Sequence, residues 1–219
     1  MLEGQFILPI WYDLLATFAF AITGAVIGLK KHYDIVGVTS LALAVGVGGG
    51  IIRDGVFLQT TPAIATDWRY MATILLAVIT ALALMRVTEK QTFVRIIDLL
   101  DALGLAAYAV VGTQKSLLGG LTIVAAILIG TINAVGGGVL RDILSGENPR
   151  IFRPSQLYAL IAVSGAVLFV ILGVGLHIEA QLAALIAMAV MIASRALVIA
   201  FDVQTKPARH IGRRNRSAS

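Results

Sequence analysis

Two strings decide how this chain folds: GGGIIRD at residues 48–54 and GGGVLRD at residues 136–142. The first begins at residue 48 and the second at residue 136, which is an offset of 88 residues. Without a gap, the same offset pairs Asp13 with Asp101 and aligns a tyrosine in each half. Chance matches in an apolar sequence would involve Ala, Leu and Val rather than these residues. The offset therefore predicts an internal repeat.

Both strings lie inside long apolar runs. Hydrophobic residues make up 58% of the 219 residues and charged residues only 13%, about half of the share in a soluble domain. A soluble globular fold is excluded, because too few charges are present to cover its surface. Seven runs have the length of about 20 residues that a membrane-spanning helix needs. These predicted segments are Phe6–Leu29, Ile35–Leu58, Trp68–Val87, Phe93–Thr113, Leu117–Ser145, Leu157–Leu176 and Ala180–Val203.

Each copy of the repeat contains three segments, so the second copy enters the membrane in the opposite sense. We predict an all-α membrane protein with seven transmembrane helices, arranged as a 3+3 inverted repeat followed by a seventh helix for packing or oligomerisation. The predicted units are a first repeat at 1–92, a second at 93–177, the seventh helix at 178–204 and a basic tail at 205–219.

The basic residues predict the orientation. Thirteen of the 17 fall on one side: Lys30, Lys31, Arg86, Lys90, Arg95, Arg141, Arg150, Arg153, Lys206, Arg209, Arg213, Arg214 and Arg216. Arg53, Arg69 and Lys115 fall on the other side, and Arg195 lies within the seventh segment. Because positive loops stay in the cytoplasm, we expect a cytoplasmic C-terminus and an external N-terminus. We expect the basic tail to contact anionic lipid. The excess of positive residues on the cytoplasmic side already explains the charge of the tail, so nucleic-acid binding is not expected.

The sequence contains few of the residues that enzymes commonly use for catalysis or metal binding. The chain has no cysteine, and its three histidines, His32, His177 and His210, lie in predicted loops or in the tail. A thiolate or histidine metal site, a cysteine nucleophile and a buried catalytic triad are therefore not expected. We predict neither enzyme activity nor a bound cofactor or metal.

The glycine triplets need a physical reason, since each glycine costs about 1 kcal/mol relative to alanine within a helix. One explanation is close helix packing through small residues. The other is that the second and fifth helices are broken or kinked there, which frees carbonyl groups that suit cations. Repetition of the triplet, each time followed by an Arg-Asp pair, favours the break. The residues concerned are Gly48, Gly49, Gly50, Gly136, Gly137 and Gly138.

Ionisable residues follow the triplets by about one turn: Arg53, Asp54, Arg141 and Asp142. At membrane depth such groups are usually paired and face the interior. They are expected either to hold the helices together, with Arg53 pairing with Asp142 across the repeat axis, or to line and gate a cation path. Arg195 is expected to snorkel or to pair with Asp202.

Polar residues precede the triplets: Thr39, Ser40, Thr131 and Asn133. They are candidates for lining a pore, although Thr and Ser also bond the carbonyl four residues back within a helix. Asn133 is expected to face a partner or the pore. Asp13 and Asp101, near predicted helix ends, are expected to be solvated charges at a pore mouth or acids favoured by the helix dipole.

The duplicated motif, within a three-plus-three inverted repeat with one extra helix, resembles the prokaryotic trimeric intracellular cation (TRIC) channels, earlier catalogued as glycine-transporter-domain proteins. The resemblance covers nearly the whole chain except the tail. It implies a homotrimer in the prokaryotic inner membrane, with one pore in each subunit for monovalent cations, chiefly potassium. It also implies that the pore runs between the second and fifth helices, kinked at the glycine motifs.

Two other functions compete with a passive channel. Inverted repeats with broken helices are equally typical of secondary transporters, here for a small solute such as glycine. The absence of a third acidic residue near the triplets, which could couple transport to protons, favours a channel. A scaffolding membrane protein would need neither the triplets nor the nearby charges.

Overall fold

The computed structural model describes residues 6–87, 90–152 and 157–201. Within these ranges seven helices are long and apolar enough to cross a membrane. The α-helices are α1 (Trp11–Lys30), α2 (Ile35–Ile51), the short α3 (Ala63–Thr66), α4 (Trp68–Val87), α5 (Lys90–Leu118), α6 (Ile123–Leu144), α7 (Tyr158–Val170) and α8 (Ala180–Ala200). Two π-helical turns, Ile52–Phe57 and Ile171–Gly175, extend α2 and α7. The prediction of an all-α protein with seven spans is confirmed; the second and fifth spans are α2 and α6.

The two central helices begin with side-chain caps at equivalent positions. The carboxylate of Asp34 accepts a hydrogen bond of 2.7 Å from the Gly37 amide at the start of α2. The hydroxyl of Thr122 accepts one of 3.3 Å from the Ala125 amide at the start of α6. Each cap satisfies an amide that has no partner within its own helix. Asp34 and Thr122 are separated by the same 88 residues that relate the two motifs.

The boundaries of the fourth and fifth spans were wrong in the prediction. The fourth span, α5, continues past Thr113 to Leu118, and the fifth span, α6, begins at Ile123 rather than at Leu117. The turn between them contains Gly120, whose φ of +80° is a left-handed conformation that glycine adopts without a steric penalty. A continuous apolar run hides such a turn, because hydropathy does not distinguish the end of one helix from the start of the next.

Of the predicted break or kink at the glycines, the break is wrong, whereas a kink within continuous helix stays a prediction. Helical backbone continues through Gly48, Gly49 and Gly50 to Ile51, and α6 is continuous through its own triplet to Leu144. The first irregularity comes after the triplet, where the π-helical turn at Ile52–Phe57 includes the Arg-Asp pair of the first motif. The carbonyls of the glycines are therefore not released by unwinding in this conformation.

The helices form one bundle around the crossing of α2 and α6. On one side α1 packs against α2, α4 and α5; on the other α5 packs against α6, α7 and α8. The outward faces carry large exposed apolar side chains, as on α4 at Leu75, Leu76 and Ile79, as expected for helices surrounded by lipid. The seventh span, α8, packs against α5 and α7. The predicted basic tail at 205–219 and Asp202 lie outside the described residues.

Candidate functional site

The backbones of α2 and α6 touch where they cross. A Cβ atom added to Gly49 would lie 2.4 Å from the backbone carbonyl oxygen of Asn133. A Cβ atom on Gly137 would lie 2.6 Å from the carbonyl oxygen of Val45. Both distances are far below van der Waals contact, and backbone atoms cannot rotate away as a side chain can. Glycine at these two positions is therefore required by close approach of the helices.

A Cβ atom on Gly136 would lie 3.2 Å from the Cα atom of Gly49, whereas the remaining triplet residues contact side chains or have room. A Cβ atom on Gly48 would lie 2.1 Å from Cδ1 of Leu140, and one on Gly138 would lie 2.9 Å from the hydroxyl of Tyr158. Around Gly50 the nearest atom is Nη2 of Arg53 at 3.7 Å, which is ordinary contact. Close packing, the alternative to a helix break, is what the structure shows at the crossing.

A first group of charges, which we call the Asp13 cluster (Asp13, Arg53, Asp54, Tyr70 and Lys115), lies at one end of the crossing. The Asp13 carboxylate accepts hydrogen bonds from Lys115 at 2.6 Å and from the Tyr70 hydroxyl at 2.8 Å. Nη2 of Arg53 lies 3.6 Å from the same carboxylate. Arg53 also forms two hydrogen bonds, of 2.6 and 2.9 Å, with the carboxylate of Asp54. One acid on α1 thereby joins α2, α4 and α5.

The second group, the Asp101 cluster (Asp98, Asp101, Arg141, Asp142 and Arg150), lies at the other end. Nη1 of Arg141 donates to Asp101 at 2.5 Å, and Nε donates to Asp142 at 3.0 Å. Arg150 pairs with Asp98 at 3.1 Å, and its backbone amide donates to Asp142 at 2.9 Å. The contacts Asp13–Arg53–Asp54 and Asp101–Arg141–Asp142 repeat with the same 88-residue offset as the sequence.

The structure corrects the predicted pairing across the repeat axis. Arg53 bonds Asp54 and approaches Asp13, all within the first repeat, rather than reaching Asp142. Each Arg is followed directly by an Asp on the same helix, so its guanidinium finds a carboxylate locally. The two arginines therefore find their carboxylate partners within their own repeats. Between the repeats, Lys115 pairs with Asp13, and the crossing of α2 with α6 depends on glycine packing.

Asp13 and Asp101 are not solvated mouth charges, contrary to that expectation. Their exposed fractions are 3% and 0%. Asp13 is in the first turn of α1, where an acid favours the helix dipole, whereas Asp101 lies well inside α5. Burying a carboxylate is expensive unless it is paired and hydrogen-bonded, and each has an arginine partner. The apolar sequence around them gave no sign of this burial.

Among the polar residues before the triplets, Thr39 and Thr131 bond within their own helices. Their hydroxyls donate to the carbonyls of Ile35 and Ile127, at 2.7 and 2.8 Å. Ser40 is exposed on α2. Asn133 is fully buried and faces a partner, since its Nδ2 donates to the backbone carbonyl of Tyr108 at 2.8 Å.

Two cavities adjoin the Asp13 cluster. The larger, of about 290 Å³, is lined by Asp13, Asp67, Tyr70, Gln114 and Lys115 among others. The smaller, of about 10 Å³, has the volume of about one water molecule and reaches the motif at Gly50 and Arg53. Both share Asp13 and Tyr70 in their walls. Beside the larger cavity, hydrogen bonds from Arg69 lower the pKa of Asp67 and favour its charged form.

Two contributors to the site, Leu140 and Tyr108, were missed in the sequence, whereas Arg195 was singled out there and is fully buried rather than snorkelling. Leu140 is one of many leucines in the apolar sequence, yet it packs against Gly48. Tyr108 bonds both crossing helices, but the repeat pairs it with Phe20 and so produces no identity that a self-comparison would detect. The guanidinium of Arg195 lies 5.0 Å from the ring centre of Tyr158, a cation–π contact that joins α8 to α7.

Fold and site together define a seven-span α-helical membrane protein built from two related halves. A family model described as "Glycine transporter" matches residues 10–86 and again residues 98–173. The two matches begin 88 residues apart and together cover more than half of the chain. This duplicated match reproduces the offset found between the motifs.

Individual relatives agree with this result. The chain is 38% identical to a UPF0126 membrane protein of Deinococcus radiodurans over 157 residues, covering 71% of this chain and 72% of the relative. It is 32% identical to the UPF0126 inner membrane protein YadS of Escherichia coli K12 over 165 residues, with coverages of 72% and 75%. The solved structure of the TRIC trimeric intracellular cation channel orthologue from Rhodobacter sphaeroides superposes with a TM-score of 0.81, at 32% identity and coverages of 88% and 97%. The chain belongs to the TRIC channel family.

Proposed function

We propose that the protein is a monovalent cation channel that conducts potassium, with one pore in each subunit between α2 and α6. The proposal extends to a homotrimer in the bacterial inner membrane with its C-terminus in the cytoplasm. The Rhodobacter sphaeroides relative is described as a trimeric cation channel, and the Escherichia coli relative as an inner membrane protein. The basic tail is proposed to contact anionic lipid.

The observation that carries the proposal is the glycine-mediated contact of α2 with α6 between two buried charge clusters. A helix surface made of glycine exposes backbone instead of side chains. When the helices separate, Gly49 and Gly137 would present carbonyl oxygens, each of which can accept a second interaction besides its helical hydrogen bond. Carbonyl oxygens are ligands that potassium accepts in place of its hydration shell.

The charges near the crossing fit a cation path. Arg53 and Arg141 would repel cations if they were alone, but each bonds a neighbouring aspartate. The larger cavity beside Asp13 would serve as an entrance, since acidic groups at its wall raise the local cation concentration. In the present conformation Leu140 packs directly against Gly48, and in the proposal this contact closes the path.

The function is tested by recording currents from purified protein in planar lipid bilayers with potassium salts on both sides. We expect discrete single-channel currents carried by potassium, whereas a matched anion gradient should contribute little. Protein that passes no current, but accumulates labelled glycine in liposomes against a gradient, would identify the transporter alternative instead.

Replacing Leu140 with alanine should increase the fraction of time that the channel is open. The shorter side chain no longer fills the space against Gly48, so the closed conformation loses apolar contact. Because Leu140 is only partly buried, the loss should be smaller than the loss of about 2–5 kcal/mol that is typical of a core leucine. The measurement is single-channel recording beside the control Leu128→Ala, whose parent side chain is on the same helix and 55% exposed. Equal open fractions for both variants and the wild type would show that Leu140 does not block the path.

A further inference from the structure

Phe20 and Tyr108 occupy equivalent positions in the two repeats, 88 residues apart. Both rings are buried, and they stack with centroids 5.6 Å apart and planes inclined by 22°. Phe20, on α1, packs against Gly137 of α6, where an added Cβ atom would lie 3.2 Å from its ring. Tyr108, on α5, differs from Phe20 by one hydroxyl group, and this hydroxyl reaches α2.

The hydroxyl of Tyr108 donates a hydrogen bond to the backbone carbonyl of Gly46, two residues before the triplet. The hydroxyl of Thr17 lies 2.8 Å from the hydroxyl oxygen of Tyr108 and 2.9 Å from the backbone carbonyl oxygen of Asp13. Because the Gly46 carbonyl only accepts, the proton of Tyr108 belongs to that bond, and Thr17 is left as the donor toward Tyr108 or Asp13. A buried chain of polar contacts thus runs from α1 through α5 to α2.

The same residue also contacts α6. Its backbone carbonyl accepts the hydrogen bond from Nδ2 of Asn133, and the backbone of Asn133 is the contact of Gly49 in the crossing. Tyr108 therefore bonds both crossing helices, α2 through its side chain and α6 through its main chain. The bond to α2 is the one that the equivalent Phe20 is chemically unable to make.

We propose that the Tyr108 hydroxyl is a latch that holds α2 against α6 in the closed conformation, making Tyr108 a positioning residue for gating. This inference rests on the proposed channel function. Separation of α2 from α6 requires the Gly46 carbonyl to move away from a hydroxyl held on α5, and the bond is lost in a site where water has little access. The latch acts on one helix only, so the two halves of the repeat contribute unequally to closure.

The test is single-channel recording of Tyr108→Phe in planar bilayers with potassium chloride. We expect the ratio of open to closed time to rise about 3- to 10-fold, the factor that one buried hydrogen bond contributes to an equilibrium. Closed periods should shorten, while the current through the open channel stays unchanged, since the ring remains in place. Thr17→Val should raise the ratio by a smaller factor, and this variant decides the question if Tyr108→Phe does not fold.

Tyr12→Phe is the matched control, because Tyr12 is also buried but its hydroxyl bonds the Gln181 carbonyl on α8. Its ratio of open to closed time should equal that of the wild type. A wild-type protein without current would overturn the channel function itself. A conducting wild type whose ratio is unchanged or lowered by Tyr108→Phe would overturn the latch and leave the channel function standing.

Discussion

Replacing Asp101 with leucine is expected to lower the free energy of unfolding by about 3–5 kcal/mol, the loss typical when one partner of a buried ion pair is removed. Asp101 is fully buried, and Arg141, its partner at 2.5 Å, is 1% exposed. Without the carboxylate, the guanidinium keeps only Asp142 and Thr23. The loss is measured by titrating the purified protein from a mild detergent into a denaturing one and following the helical circular dichroism.

Two further variants make this result specific. Asp67→Asn removes a carboxylate that bonds Arg69 at the surface, where both groups meet solvent, and should leave stability unchanged. The triple variant Asp101→Leu, Arg141→Met and Asp142→Asn removes the guanidinium together with both carboxylates that bond it. It should recover part of the loss, because none of these three buried charges remains unpaired. An Asp101→Leu protein as stable as the wild type would mean that Arg141 is satisfied without Asp101.

The second large effect is a difference in stability between alanine substitutions at two neighbouring glycines, Gly49 and Gly50. Gly49→Ala places a Cβ atom 2.4 Å from the Asn133 carbonyl, and the overpacking should destabilise the closed protein by about 1–3 kcal/mol. Gly50→Ala places its Cβ atom in ordinary contact, with its nearest atom, Nη2 of Arg53, at 3.7 Å. Because alanine favours a helix interior over glycine by about 1 kcal/mol, Gly50→Ala should be neutral or stabilising. Thermal unfolding of the two variants in the same detergent gives the comparison.

Comparing Gly49→Ala with Gly50→Ala distinguishes two explanations for the glycine triplet, close packing of the helices and flexibility of α2. If the glycines served to make α2 flexible, alanine at either position would stiffen the helix to a similar degree. Similar shifts in melting temperature for the two variants would therefore contradict the packing explanation. Opposite shifts are expected from the contacts of the two glycines.

Much of the fold could be predicted because lipid imposes simple rules on a sequence. The seven spans follow from the length of the apolar runs, and the relation between the halves follows from residues that apolar composition would not repeat, such as Asp13 and Asp101. The motif itself predicted that the repeats meet at the glycines of the second and fifth spans, and α2 and α6 do cross there; a pore at this crossing stays a prediction. These predictions use only local composition and spacing, which a single sequence contains in full.

The predictions that proved wrong depend on distances between helices, which the sequence does not specify. A triplet of glycines is compatible with a broken helix and with a tight crossing, and only the approach of Gly49 to Asn133 separates the two. In the same way, Arg53 had several acids within a plausible reach, and the choice of Asp54 and Asp13 depends on the packing of α1 against α2. The hydroxyl of Tyr108 gave no signal, because its importance arises from the position of a backbone carbonyl on another helix.

The π-helical turn at Ile52–Phe57 makes the two halves of the repeat differ in structure just after their glycine motifs. After the second motif, α6 continues as an ordinary helix to Leu144, so the two halves diverge just beyond their shared sequence. A perfect inverted duplication would present identical surfaces to the two aqueous compartments. Here the π-helical turn follows the first glycine triplet, whereas α6 has no such turn after the second. In a pore at the crossing, ions that enter from the two compartments would therefore meet helix ends of different backbone form.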